Sequence, residues 1–377
     1  MTPRDFGLYI HVPFCGAICS YCHFVRTAQH DLDLRTRWVE GARREMDLWL
    51  EHCPSLTSGT RQLATAYLGG GTPSQLEPDL MTRLITGTVD RLAHGPDLEL
   101  TAEANPESLN SEKVKAWRAA GINRISLGVQ SLDRGVLDLL GRACDPATAR
   151  RGLGLATEGF ARVSADWIIG PGLVQKNLLA ELSEAVDLGV THFSLYILEV
   201  HEGTALARDV HDGRLALPPD SHTEALYLAA GEHLEQLGIA QYEVANFALP
   251  GHESRHNRAY WQGRPWLALG PGAHGAWGRR RHANLAGISD WLNAVEQGQL
   301  PVGEIDPLDR AARRLEKAIL ALRTREGLPL AWIPQGTFEL DRGEREGLWD
   351  LLKGKLVLTR KGFLRIDSLE ERLVQKL

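Results

Sequence analysis

Three of the five cysteines in this chain fall within eight residues, as Cys15-Gly16-Ala17-Ile18-Cys19-Ser20-Tyr21-Cys22. Thiolates are soft ligands suited to iron–sulfur clusters, and three on one tight loop can hold three irons of a cubane. No fourth cysteine follows at a ferredoxin-like distance, so one iron would keep an open position, as a catalytic zinc does for its reactant. Two other readings stand beside this one. His23 could fold back to complete a zinc shell, or the three thiols could be unrelated.

Other polar and glycine-rich blocks recur at intervals downstream. Gly69-Gly70-Gly71-Thr72-Pro73-Ser74 follows a β-rich run; its glycines would let backbone approach a ligand closely, or simply make a tight turn. Glu103-Ala104-Asn105-Pro106, Gly128-Val129-Gln130-Ser131 and Asp166 each sit at or near the end of a later β-rich run. A further block reads Arg255-His256-Asn257-Arg258-Ala259-Tyr260-Trp261. A histidine there could ligate haem iron while aromatic faces pack against the macrocycle, or it could be an ordinary hydrogen-bonded loop residue. His252, His274 and His282 lie close by as rival ligands. The stretch Gly270 to Gly275 has a G-x-G-x-x-G form but does not open a βαβ unit, so it reads as a loop and not a dinucleotide site. The run Arg279-Arg280-Arg281-His282 reads as a solvated surface loop.

The elements that must position these residues alternate regularly. Strands are expected at 8–12, 64–68, 98–103, 123–128, 163–170 and 192–198, with helices near 33–50, 76–93, 111–119, 133–158, 176–188 and 221–237. Strand–helix alternation predicts a parallel α/β sheet with right-handed crossovers. A full eight-unit barrel takes about 250 residues, so six units suit an incomplete (β/α)6 barrel or an open doubly wound sheet. In either, ligands collect at the carboxyl ends of the strands, where the polar blocks lie. The expected organisation is a barrel over 1–240, a region of functional loops with short elements over 241–306, and a small C-terminal α/β extension over 307–377. In that extension a charged helix precedes a terminal hairpin.

Bulk properties bound the function. A net charge of −6 gives no electrostatic reason to expect nucleic acid, which calls for a basic surface. No apolar run approaches the roughly 18 residues of a membrane span, and the N-terminal MTPRDFGLYIHVPFC lacks a charged-then-apolar signal segment. A cytoplasmic protein is expected. In a reducing compartment, clustered cysteines argue for metal or redox chemistry over disulfides.

With those residues in view, the chain resembles the radical-SAM superfamily, whose signature is C-x3-C-x2-C with an aromatic before the last cysteine. Within it, the chain is similar over nearly its whole length to the group that holds oxygen-independent coproporphyrinogen III oxidases and a haem-chaperone branch. The resemblance implies a radical-SAM partial barrel in which Cys15, Cys19 and Cys22 hold a [4Fe–4S] cluster. It implies that Tyr9 and Tyr21 flank the S-adenosylmethionine (SAM) site and that Gly70, Gly71 and Thr72 form its glycine turn. Glu103, Gln130, Arg142 and Asp166 would then hold its amino-acid and ribose parts, as carboxylates and a bidentate guanidinium can.

Two features separate the branches. The oxidases resemble C-x3-C-x2-C-x-C, and here the last position is Phe24. The block from His256 to Trp261 matches the H-N-x-x-Y-W pattern of the chaperone branch, which implies a haem site at His256, Asn257, Tyr260 and Trp261. The implied function is haem delivery to apo-haemoproteins such as respiratory enzymes. Implied partners are haem, those clients (including peripheral contact with membrane-bound ones), an electron donor if SAM is cleaved, and a second copy in a homodimer. The rival enzymatic function is oxidative decarboxylation of coproporphyrinogen III, or radical-SAM chemistry on another tetrapyrrole. The sequence departs from the group's pattern at Gly170-Pro171-Gly172, at His201-Glu202 and around Cys144.

Overall fold

A computed structural model describes residues 5–56, 58 and 60–376. The leading MTPR, on which part of the expectation about a signal segment rests, lies outside them. Six parallel strands form the centre: β1 (Asp5–Val12), β2 (Gln62–Gly70), β3 (His94–Ala104), β4 (Arg124–Gln130), β5 (Arg162–Ile169) and β6 (His192–Ile197). Between them run α1 (Leu32–His52), α2 (Pro78–Thr88), α3 (Ser111–Ala119), α4 (Arg134–Leu139), α5 (Pro146–Gly159) and α6 (Gln175–Asp187). α7 (Ala205–His211) and α8 (Asp220–Gln236) follow β6. β4 is buried along its whole length, as expected for a parallel strand covered on both faces. The sheet has two free ends, so the barrel is incomplete. This is the α/β partial barrel expected from the strand–helix alternation.

The expected helix over 133–158 is two helices. α4 ends before Gly141, whose φ of +64° no helix accommodates, and α5 restarts at Pro146, where the Asp145 side chain accepts from Thr148 N at 2.7 Å. The break brings Arg142 into the barrel mouth.

In the region 241–306, read from the sequence as loops with short elements, most residues belong to short strands and helices. Here β7 (Ala240–Gln241) and β8 (Asn246–Ala248) extend the sheet antiparallel beyond β6, and α9 (Arg255–Trp261) follows. β9 (Trp266–Leu269) adds parallel to β1, and β10 (His274–Trp277), β11 (Arg280–Asn284) and β12 (Val302–Pro307) continue antiparallel outward, with α10 (Ile288–Glu296) packed behind. Strands of two to six residues are too short to display an alternating pattern. Buried Glu45 ties this extension to α1: it accepts from Gly270 N at 2.8 Å, Asn284 Nδ2 at 2.6 Å and Trp291 Nε1 at 2.9 Å.

The C-terminal extension has its own core, in which α11 (Arg310–Leu322) packs on the antiparallel strands β13 (Leu328–Pro329), β14 (Trp349–Leu352) and β15 (Lys355–Leu358). α12 (Leu340–Arg345) lies between β13 and β14. The expected hairpin exists but is not terminal. α13 (Arg360–Phe363) and α14 (Ile366–Val374) close the chain, because Ile366, Leu369 and Leu373 recur at helical spacing and bury one face. Among the described residues no helix is long and apolar enough to cross a membrane.

The glycine turn after β2 passes close over the end of β1: Gly71 N donates to Val12 O at 2.8 Å and Thr72 N to Phe14 O at 2.7 Å. A Cβ on Gly71 would lie 2.6 Å from Val12 O and 2.9 Å from Phe14 O. Gly71→Ala is expected to destabilise the protein by about 1–3 kcal/mol, the usual cost of overpacking, measured as a lowered urea midpoint at unchanged m-value.

Candidate functional site

A cavity of about 400 Å³ opens at the carboxyl ends of the parallel strands, and all three clustered cysteines line it. Their loop is anchored on both sides. Cys15 N donates to Thr27 O at 2.9 Å and Thr27 N to Pro13 O at 2.7 Å, while Ser20 N reaches Leu140 O at 3.2 Å. Buried Phe14 packs edge-on against Trp38 and fixes the loop's root. Thr72 Oγ1 donates to Cys15 Sγ at 3.6 Å, and Arg142 Nη1 to Cys19 Sγ at 3.3 Å. Arg26 donates to the carbonyls of Cys22 and Phe24. Burial pushes the Cys15 and Cys22 thiols above their ordinary values, so as free thiols they stay protonated, and a soft metal must displace those protons.

Opposite the cysteines stand two carboxylates. Glu103, at the end of β3, accepts from Tyr67 Oη at 2.7 Å and Gly70 N at 3.1 Å. Asp166, late in β5, accepts from Ser126 Oγ at 3.4 Å. Burial pushes Glu103 up to about 7, with the Asp166 charge adding to it, and burial pushes Asp166 up to about 6. Burial works against the Arg142 charge too, yet Cys19, Tyr21 and Glu107 together hold its guanidinium above the ordinary value. Arg142 Nη2 donates to Gly128 O at 2.7 Å, while its Nε is buried without a partner. Gln130, with φ at +71°, likewise has a buried Oε1 without a partner. A non-glycine residue in that conformation costs of order 1–3 kcal/mol and clusters at ligand sites.

Three thiols beside a space rimmed by carboxylates, a guanidinium and orphaned amide atoms suit a thiolate-ligated cluster next to a zwitterionic ligand with hydroxyls. Among the described residues no three His, Cys, Asp or Glu side chains converge tightly enough for a single metal ion. A cubane asks for a wider arrangement, with one thiolate to each of three irons.

The structure brings Cys15, Cys19, Cys22, Tyr21, Gly70, Gly71, Thr72, Glu103, Gln130, Arg142 and Asp166 to this one cavity. Tyr9 does not line it. Its ring stacks on Tyr67 and its hydroxyl lies 3.0 Å from His11 Nδ1, a layer deeper in the barrel. Arg26, Ser126 and Tyr196 do line it and escaped the sequence reading. Tyr196 carries the same signal as Asp166, a polar side chain late in a parallel strand, whereas nothing in the sequence marks Arg26.

The block on α9 lies elsewhere. His256 is buried among Gly7, Thr65, Tyr67 and Glu99, residues early in β1 and in the middle of β2 and β3, so α9 plugs the barrel from below. Its Nδ1 is 2.9 Å from Thr65 Oγ1 and its Nε2 is 2.8 Å from Tyr260 Oη. Burial pushes it down to about 3, so it is neutral. Both ring nitrogens are engaged, and ligating an iron would require breaking one of these bonds and displacing α9. Trp261 faces away, into a cavity of about 280 Å³ against the C-terminal extension, and Asn257 N is taken up by the Ser254 cap at 3.2 Å.

Residues 9–193 match the radical SAM superfamily. The chain is 38% identical over 99% of its length to the heme chaperone HemW of Mycobacterium tuberculosis, covering 96% of that protein. It is 32% identical over 85% of its length to HemW of Bacillus subtilis, covering 84% of that one. The chain belongs to the HemW family of radical-SAM proteins. The fold is also that of the Escherichia coli coproporphyrinogen III oxidase HemN, with a TM-score of 0.84, 21% identity, and coverage of 100% of this chain and 92% of that one. At the position where an extra cysteine would mark an oxidase, this HemW-family chain places Phe24 at the cavity mouth, 54% exposed.

The raised Glu103 fixes the sign of a pH effect. A carboxyl whose folded-state value lies above its unfolded one stabilises fully below the unfolded value, and that contribution is lost as pH rises through the folded value. Other buried groups titrate in the same range, so the difference between variant and wild type is the clean measure. The stability of Glu103→Gln relative to wild type should rise between pH 4.5 and about 7 and level off above. Urea midpoints across that range check this, and a pH-independent difference would refute it.

Proposed function

We propose that this protein is a haem chaperone that binds haem and passes it to apo-haemoproteins, with a [4Fe–4S] cluster and SAM as resident cofactors. The observation that carries this is the near-complete alignment, at 38% identity over 99% of the chain, with a heme chaperone HemW. Cys15, Cys19 and Cys22 hold the cluster. Gly70, Gly71 and Thr72 offer backbone to SAM, Glu103 and Asp166 accept from its ammonium and ribose hydroxyls, and Arg142 and Gln130 meet its carboxylate and remaining polar atoms. When bound, the cluster supplies one-electron reduction of SAM, with the protein contributing orientation and electrostatics.

The carboxylates are poised for such a ligand. Near-neutral values mean that Glu103 and Asp166 hold protons readily while the cavity is empty and release them when a cation arrives, so the barrel escapes burying two bare charges. Arg142, pinned by Gly128 O and Cys19, keeps its charge throughout and marks the boundary between cluster and ligand. Further proposals are that the clients are respiratory haemoproteins approached at the membrane surface, that the protein works in the cytoplasm, that a one-electron donor serves the cluster, and that cofactor occupancy controls pairing of two copies.

The test is anaerobic reconstitution of the cluster, loading with haem, and mixing with an apo-haemoprotein. Haem should move to the acceptor. Supplied instead with coproporphyrinogen III, SAM and a reductant, the protein should form no protoporphyrinogen at a catalytic rate; such turnover would overturn the chaperone reading. Cys19 is partly exposed, and its thiol is met by the side chains of Arg142 and Tyr21 and not enclosed in the core. Cys19→Ala should therefore fold normally, yet lose the cluster's visible absorbance and most of its bound iron.

A further inference from the structure

We propose that Glu181 on α6 is a positioning residue for SAM: from outside the cavity it fixes the ends of β4 and β5 that present Gln130 and Asp166 to the ligand. This rests on the placement of SAM against Gln130 and Asp166 proposed above, and adds the group that sets their geometry.

Glu181 is 6% exposed and does not line the cysteine-lined cavity. Its carboxylate nevertheless gathers donors from two strand ends. Ser131 Oγ lies 3.0 Å from both carboxylate oxygens. Oε2 also accepts from Leu132 N at 2.9 Å and from Trp167 Nε1 at 3.0 Å. Ser131 and Leu132 directly follow Gln130, and Trp167 directly follows Asp166. Gln130 and Trp167 are also partners in the β4–β5 ladder, just past a register shift that skips Val129. Along a strand successive side chains point to opposite faces. Asp166 therefore faces the cavity while Trp167 reaches back to α6, and one carboxylate grips the neighbours of both ligand-facing residues.

The arrangement does more than pack a helix on a sheet. Its donors are a hydroxyl, an amide and an indole, none of them charged, and burial pushes Glu181 above the ordinary carboxylate range against their pull. Burying a carboxylate without a cation is costly. For packing alone an apolar side chain would serve, as Leu178 and Leu182 do on the same helix, both fully buried. An apolar residue could not hold the turn that follows Gln130.

That turn needs holding. Gln130 has a φ of +71°, which a non-glycine residue keeps only where its surroundings over-determine it. The bonds from Ser131 and Leu132 to Glu181 constrain the next two residues. Ser131 Oγ also accepts from Asp133 N at 3.0 Å, and Asp133 caps α4 by accepting from Val136 N at 3.1 Å. The turn is thus pinned from both sides, and Gln130 is left lining the cavity with its Oε1 buried and without a partner.

The experiment is SAM titration of the anaerobically reconstituted full chain, read by equilibrium dialysis of labelled SAM and by the SAM-induced change in the reduced cluster's electron paramagnetic resonance spectrum. Glu181→Gln keeps the size but replaces one acceptor oxygen by a nitrogen that cannot accept. It should retain the cluster absorbance and weaken SAM binding by about tenfold, the lower end of what outer supports of ligating groups are worth. Ser131→Ala, which leaves the Leu132 and Trp167 bonds in place, should weaken binding less. Leu178→Val is the control for a purely structural role: it should lower the urea midpoint and leave SAM affinity at the wild-type value. The proposal is overturned if Glu181→Gln lowers the urea midpoint with SAM affinity unchanged, or if Leu178→Val weakens SAM binding as much as Glu181→Gln does. Should Glu181→Gln fail to fold, Ser131→Ala decides, and unchanged SAM affinity there overturns the proposal. If Gln130→Ala and Asp166→Asn bind SAM as wild type does, it is the placement of SAM that fails, and the role of Glu181 falls with it.

Discussion

The site depends on the clamp between the end of β1 and the glycine turn after β2. Two backbone hydrogen bonds, Gly71 N to Val12 O and Thr72 N to Phe14 O, hold the turn across the root of the cysteine loop. The clearance is so small that no side chain fits at Gly71. Because the chain leaves β1 through Pro13 and Phe14 under this clamp, Cys15 lands against Thr72, and the other two cysteines follow around a loop closed by Thr27. Position and chemistry are coupled here through backbone, which is stiffer than side-chain packing.

The same mouth concentrates most of the strain and unpaired polarity that lies near the cysteines. Gln130 takes a left-handed conformation at the end of β4, and its Oε1 and Arg142 Nε have no protein partners. Glu103 and Asp166 are held near neutral pH values by burial. Each feature costs folding free energy that the protein's own contacts offset only in part, so their coincidence around one cavity is best explained by ligands that satisfy them. The break at Gly141 belongs with them, since it is what lets Arg142 turn inward from between two helices.

The floor of the barrel shows a different economy. His256, Tyr260, Tyr67 and Thr65 are joined by ring contacts and hydrogen bonds, and a neutral histidine fits there because burial disfavours its charge. Polar residues that are all satisfied act as packing. The sequence motif drew attention to this helix, and the motif is real, but in this structure its histidine serves the plug that closes the barrel.

Much was legible from residue order because it rests on local rules. Alternating strands and helices, each with its own period and caps, gave the six parallel strands within a few residues. The spacing of Cys15, Cys19 and Cys22 placed three thiols at one cavity, since residues on one short loop must stay near one another. Polar residues late in successive parallel strands had to meet at one end of the sheet, which located Glu103, Gln130 and Asp166. Other features were decided only by tertiary structure. The short strands of 241–306 are too brief to carry a period and form by pairing with edges that already exist. Residues 360–376 could have been a strand or a helix until the second core selected the helical face of Ile366, Leu369 and Leu373. Above all, sequence determined that histidines and aromatics were present near cofactor-binding motifs, but whether an imidazole nitrogen is free or already bonded depends on neighbours far along the chain. Thr65 is 191 residues from His256, so only the folded barrel could show that both nitrogens of this imidazole are already engaged.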